Sequence, residues 1–438
     1  MRSRSVPWLC LLILLAIATA GRAIGQYQML PSLFPEGVPG YDAAPGVTVM
    51  SRLHPELMPP GLRYGALRIF PSLEETIGYN SNVLGNATIG GRRGSWQLTT
   101  APSLTLGSDW SRNQVGAAFN LQNTQYFSMP NQTQSNGSAA AGARLDFGQD
   151  QLTVALAHTS QHENIAAINA IASTQPISIQ LDDARASYMM VKGRWNLTTA
   201  LEASSWIYGD ATIAGQSTSQ SYRDRIVGQG SMTLRYEWAP LRNILFVMRA
   251  LSQNYTRIPY GQPTSNSQAY QILGGLDFDG NGIWRWRMLL GGEAREFTAS
   301  VYQPRNTVIA EAEATWFPTA MTTLHASLSR DTEDASQEGV SGLVYTAARL
   351  SIDHELMRQV LLRAYAGVQQ ANYFGGGVQT GYTAGLGVQW TLNRNVRLSL
   401  TYDQSVLRGG QASAPSTTPS LATGYNQGLS LFSVRVGL

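Results

Sequence analysis

From Leu67 to Leu438 the chain alternates apolar with polar or small side chains, in segments of about a dozen residues. In one such segment Arg285, Arg287, Leu289, Gly291, Glu293 and Arg295 share one parity, while Trp284, Trp286, Met288, Leu290, Gly292 and Ala294 share the other. A β-strand turns these two sets to opposite faces. The charged set is costly in hydrocarbon and the apolar set is wasted in water, so the pattern predicts a wall between a polar lumen and lipid. Parity and turn signals mark out about 18 strands, within about 16–18. The expected fold is all-β: a transmembrane antiparallel up-and-down β-barrel.

Connector lengths assign the two sides. Short turns at 148–150, 192–194, 279–282 and 393–395 alternate with long polar stretches at 128–137, 162–180, 209–220, 257–267 and 408–424. In outer-membrane barrels short turns are periplasmic and long loops extracellular. The stretch from Asn164 to Ile179 is unusually apolar for a loop, carrying Ile165, Ile168, Ile171 and Ile177. Exposed apolar patches need a cover, which predicts folding into the barrel mouth as a constriction or contact with a neighbouring subunit of a homo-oligomer. Trp238, Trp284, Trp316 and Trp390 fall at periplasmic strand ends with outward parity, as an interfacial girdle requires. The last segment sets Phe432, Val434, Val436 and Leu438 on one face, a pattern suited to a closing strand. The aromatic final residue that the outer-membrane assembly machinery prefers is replaced here by Leu438.

Composition narrows the alternatives. The 438 residues include 43 glycines and only 13% charged side chains, with no helix-length apolar run after the first two dozen residues, so closed strands are the remaining way to satisfy backbone groups in lipid. The N-terminus reads as a signal peptide over 1–20: Arg2 and Arg4, an apolar core from Trp8 to Ala18, then Ala18-Thr19-Ala20. Cys10 is the only cysteine and lies within it, which leaves no thiolate metal site or disulfide beyond. Residues 21–66 are dense in proline, from Pro31 to Pro60, and predict an extended periplasmic arm, with a plug folded back into the lumen as the alternative. The barrel would then occupy 67–438. A formal charge of +3 offers no basis for nucleic-acid binding.

The first strand reads Leu67-Arg68-Ile69-Phe70-Pro71-Ser72-Leu73, then Tyr79-Asn80-Ser81-Asn82-Val83. This succession of an apolar pair, Pro-x-Leu, and Tyr-x-x-Asn before an aliphatic residue resembles the opening of the putative β-barrel porin 2 family, with Gly61 and Gly65 fitting just upstream. The resemblance implies an outer-membrane barrel of Gram-negative type, associated with exopolysaccharide production and export. Asn80 and Ser81 stand where an acidic residue is common, which argues against a metal at that turn.

In a barrel, function lies in the lumen, so inward parity selects the candidates. It selects Arg223, Arg225, Arg235 and Glu237 on a strand expected over Tyr222–Trp238, then Arg249, Arg285, Arg287, Glu293, Arg295, Glu311, Glu313, Arg349, Arg363 and Arg397. The hairpin between two of these strands is expected to bring Glu293 and Arg295 beside Glu311 and Glu313. Such charges form either a transverse field that selects passing solutes or a lattice of ion pairs that stiffens the wall. Tyr126, Trp206, Tyr255 and Tyr365 are inward rings on which sugars could stack, or rings that pack under loops. One enzymatic arrangement is present: His158 and Ser160, two apart on one strand face, as in outer-membrane lipid hydrolases, though no group orienting the His is identifiable. His54, His325 and His354 are isolated and point to no metal, and no cofactor motif occurs. The reading is a non-enzymatic channel for hydrophilic solutes or polysaccharide in outer-membrane lipid, with a non-conducting adhesion barrel as the alternative.

Overall fold

The computed structural model describes residues 54–85, 93–164, 167–213, 215–259, 261–280, 282–409 and 424–438, together with 34, 38, 39, 48–50, 52 and 421. The signal peptide over 1–20 lies outside the described residues. Twenty-one strands follow in chain order. They are β1 (Leu62–Tyr64), β2 (Leu67–Asn80), β3 (Ser95–Ser108), β4 (Gln114–Tyr126), β5 (Gln134–Asp146), β6 (Gln151–His162) and β7 (Ser178–Lys192). Next come β8 (Trp195–Tyr208), β9 (Asp210–Ile213), β10 (Gln216–Ser219), β11 (Arg225–Ala239), β12 (Arg242–Tyr255), β13 (Ser267–Gly280) and β14 (Trp284–Phe297). The chain continues with β15 (Arg305–Thr319), β16 (Thr322–Glu333), β17 (Leu343–Met357), β18 (Val360–Tyr373), β19 (Val378–Thr391), β20 (Val396–Gly409) and β21 (Tyr425–Gly437).

Eighteen of these strands, β2–β8 and β11–β21, pair antiparallel with their chain neighbours, and β2 pairs with β21, so the sheet closes on itself. Closure removes every edge, the condition for β-structure in lipid. The short β1 folds back on β2 through a turn at Gly65, whose φ of 59° suits glycine. The β9–β10 hairpin stands apart in the loop after β8.

Parity sorts the wall as the alternation requires. On β14 the even residues Trp284, Met288 and Leu290 are outward and exposed, while Glu293 and Arg295 are inward and buried. Trp284 stacks on Trp316 of β15 at 5.0 Å between centroids, part of the periplasmic girdle. The inner face is not uniformly polar: Leu245, Val247, Leu273, Leu289 and Ile309 form a buried cluster on inward positions of β12–β15.

Two local expectations change. The chain at Ser221–Arg223 forms a turn of 3-10 helix and β11 starts at Arg225, so Arg223 belongs to the loop, not the strand. The β14–β15 hairpin is set by Trp284 opposite Trp316, which puts Arg287 opposite Glu313, Leu289 opposite Glu311, and Glu293 opposite Thr307. Glu293 and Arg295 therefore do not meet Glu311 and Glu313, because β15 already begins at Arg305, opposite Arg295, and the connector is shorter than the expected register requires.

Several described residues of the proline-rich segment touch the inner side of the barrel wall. Phe34 and Val38 pack on Ala118, Ala140 and Ala155, inward residues of β4, β5 and β6. A Cβ on inward Gly142 would strike the Pro39 carbonyl, so glycine is what lets the two backbones approach there. Lower down, the Val49 N–H donates to Thr323 Oγ1 at 3.0 Å, and Arg52 reaches Glu355 at 3.1 Å.

Candidate functional site

At the extracellular end, loops turn inward and meet charged strand residues. Ile171 and Ile177, both without exposed surface, pack with Ala211, Val340, Leu343, Tyr345, Ala371, Tyr373 and Leu421. Ile168 lies against the same cluster, whereas Ile165 lies outside the described residues. Burying each isoleucine stabilises this arrangement by about 1.5–3 kcal/mol relative to leaving it in water. The apolar loop thus covers its isoleucines inside the mouth. Asn169, with φ of 63°, anchors the turn of this loop: its backbone N–H donates to Gln379 Oε1 at 2.8 Å and its side-chain amide to the Asp334 carbonyl at 2.9 Å.

Arg223 is 2% exposed and grips Glu163 with two hydrogen bonds, Nη1 to Oε2 at 3.0 Å and Nη2 to Oε1 at 2.8 Å. Nη2 also donates to Ser336 Oγ at 3.0 Å, and the guanidinium sits 4.0 Å over the Tyr208 ring. One arginine therefore ties the 163–177 loop to the 334–342 loop. Burial works against its charge, but Glu163 beside it outweighs that, so its pKa lies above the ordinary arginine value. Burial pushes the neighbouring Tyr222 phenol up and raises the Asp224 carboxyl, which accepts the Tyr208 N–H at 2.8 Å.

Below this sits a network of alternating sign. Arg225 lies 3.3 Å from Asp334, and Arg295 lies 3.5 Å from Asp334 and 2.9 Å from Glu293. Gln271 donates to Glu293 at 2.6 Å and to Asp331 at 3.0 Å. Arg249 reaches Glu311 at 2.5 Å, across the two intervening strands. In this low-dielectric setting each charge requires its partner, since an orphaned ion costs several kcal/mol.

Toward the periplasm the pairs open to water. Arg287 and Glu313 are 3.4 Å apart with both side chains 43% exposed. Arg235 pairs with Asp277 at 2.8 Å and Arg285 with Asp279 at 3.0 Å, whereas Arg363 pairs at 2.6 Å with an Asp353 that is buried. Glu237 caps the turn after β11 by accepting the Leu241 N–H at 3.3 Å, a local role. Arg397 lies on the inner wall at Arg435 of β21, its direct cross-strand partner.

The aromatic candidates divide. Trp206 is 3% exposed under Arg225 and donates Nε1–H to Ser204 at 3.1 Å, so its ring presents no open face for a sugar. Tyr255 receives the Gln253 amide at 3.1 Å and is half-buried beside the same network, and Tyr126 is half-buried at the mouth. Tyr365 is the exception in placement. It stands at mid-height with exposed Arg349 stacked 4.0 Å from its centroid and its hydroxyl donating to Asp403. A Cβ on Gly385 would strike both Tyr365 and Asp403, so that glycine makes room for the pair.

Parity selects strand residues only, and misses the loop acids Glu163 and Asp334. The acidic run Asp331, Glu333 and Asp334 in a chain so poor in charge was the available signal. His158 does have an orienting partner, Asp182 Oδ1 at 2.7 Å from Nδ1, but both face outward, and among the described residues no hydrogen bond joins Ser160 to His158.

A family model described as Putative beta-barrel porin 2 matches residues 54–423. No curated protein matches the chain in sequence. Among solved structures, OccK2 (OpdF) of Pseudomonas aeruginosa in complex with glucuronate is 10% identical, with 85% of this chain and 98% of that one covered and a TM-score of 0.45. A BenF-like porin from Pseudomonas fluorescens Pf-5 is 9% identical, covering 85% and 99%, with a TM-score of 0.46. The ferric-catecholate import receptor Fiu of E. coli K12 is 8% identical, covering 84% and 81%, with a TM-score of 0.43.

Proposed function

Because the chain belongs to the putative beta-barrel porin 2 family, and is accordingly a porin-like channel of the bacterial outer membrane, we propose that it passes uncharged or weakly charged saccharides through a mouth narrowed by its inward loops. The observation that carries this reading is the mixed sign of the network. Arg223, Arg225, Arg249 and Arg295 are each matched by Glu163, Asp334, Glu311 or Glu293, leaving little net field to select an anion or a cation. Arg349, Tyr365 and Asp403 supply a ring with a cation and a carboxylate at mid-height, a combination suited to a sugar's apolar face and hydroxyls. Export of an exopolysaccharide chain is the form of this function that the family resemblance favours. Purified protein in planar bilayers is expected to give stepwise conductance with weak ion selectivity, interrupted by neutral oligosaccharide. Silence from protein verified as folded, or strong anion selectivity, overturns the reading.

A resident plug is the second reading, supported by Phe34 and Val38 packed on the inner wall and by Arg52 held at Glu355. Replacing Phe34 and Val38 by Ser is then expected to raise the conductance while the barrel stays folded. Unchanged conductance removes the plug and leaves the channel.

A further inference from the structure

The matched charges of the lumen break off at one place on the inner wall. Thr391, Arg397, Arg435, Glu74 and Ala101 form a single cross-strand row over β19, β20, β21, β2 and β3. Arg397, Arg435 and Glu74 have the parity opposite to the outward, exposed Leu400, Phe432, Val436 and Leu73, so all three face the lumen. The row lies near the periplasm, because β20 begins directly after the short 393–395 turn. Arg225, Arg295 and Arg363 are each held by a carboxylate within 4.0 Å. Among the described residues neither Arg397 nor Arg435 has such a partner. Arg435 donates to Ser72 Oγ at 3.0 Å, whereas Arg397 Nε is buried with no hydrogen-bond partner.

Like charges on directly opposed residues repel, and Glu74 alone leaves this row with one positive charge in excess. A planar guanidinium presents paired N–H donors that match the two oxygens of a carboxylate or phosphate. Two such groups side by side, one with an unused buried donor, supply what an oxyanion needs and a neutral hydroxyl does not. We propose that Arg397 and Arg435 bind one oxyanion of a passing solute, a carboxylate or a phosphate group, near the periplasmic end of the lumen. This rests on the channel reading above and specifies the charged group of a weakly charged saccharide. Inward Ser399 and Thr401 connect the pair along β20 to Asp403, which holds Tyr365. A sugar ring on Tyr365 and an acid group on Arg397 therefore lie along one polar strand face. Glu74, on the far side of Arg435, competes with the anion.

The test uses the full-length protein in detergent micelles and ligand-observed NMR with three probes: galactose, galacturonate and inorganic phosphate. Galacturonate, phosphate or both are expected to bind about tenfold more tightly than galactose, and which of them does so identifies the oxyanion. Arg397→Gln is expected to bring that anion back to the level of galactose. Because the substitution also relieves a like-charge pair, its denaturant midpoint is expected to equal or exceed that of the wild type. Glu74→Gln, which removes the competing carboxylate, is expected to tighten the same anion about tenfold. Equal binding of the three probes, or an anion preference that survives both Arg397→Gln and Arg435→Gln, overturns the site. The measurement needs no conductance: silence in the bilayer with anion binding intact removes the channel reading alone, and conductance without anion preference removes this site alone.

Discussion

The two ends of the lumen use the same chemistry to different effect. At the mouth, Arg295 and Glu293 pair at 2% and 1% side-chain exposure, and Arg223 meets Glu163 at 2% and 13%. Near the periplasm, Arg287 and Glu313 pair with both side chains 43% exposed. What separates them is what lies on top: the 163–177 and 334–342 loops cover the first set, while short turns leave the second in water. An inward charge on a barrel strand is thus a scaffold element or a solute-facing group according to the loop above it. Parity alone does not distinguish the two.

The sharpest way to break this comparison is to remove Arg295. Arg295→Ala leaves Glu293 and Asp334 buried without their shared cation, and a loss of about 3–5 kcal/mol is expected, read as a lowered midpoint in denaturant. A cost below about 1 kcal/mol, the range of exposed pairs, would place the mouth in the same class as the periplasmic end. Arg287→Gln should do the reverse. Its stability cost is expected to stay below about 1 kcal/mol, while reversal potentials in a salt gradient shift toward cations because Glu313 is left facing water. The smallest effect concerns Asp224. Its carboxyl is raised above 3.8 by burial, so the folded state holds the proton longer than the unfolded chain does. That contribution is complete below pH 3.8 and fades as pH rises through the folded value. The denaturant midpoint is therefore expected to fall slightly from mild acid toward neutral pH, and Asp224→Asn is expected to remove that part of the slope.

Much of the wall was legible because a period of two needs only local information. Arg285 and Arg287 against Trp284 and Trp286 already sort inside from outside, and the 18 strands follow. The apolar loop around Ile171 and Ile177 was legible for the same reason, since its isoleucines demand cover. Pairing across the lumen was not. Arg249 finds Glu311 across two intervening strands, and Asp334 reaches both Arg225 and Arg295 from a loop, so these partners depend on strand stagger and loop path. The register of the β14–β15 hairpin failed for a related reason: Arg305 and Asn306 could be counted as loop or ladder, and only the Trp284–Trp316 pairing decides.

The joint between β2 and β21 carries a consequence for biogenesis. It brings Asn80 beside Leu429 and Ser72 beside Gly437, residues separated by most of the chain, whereas every other joint links near neighbours. Until that joint forms, the two terminal strands offer bare ladders to any strand nearby, a standing invitation to misassembly. Its ladder runs only from Ser72 to Asn80, because Leu67–Ile69 pair instead with β1, and Pro71 has no N–H to donate. The closing joint is therefore the slowest to form and has one of the shorter ladders in the wall, a seam that stays open to the wrong partner until the two ends of the chain meet.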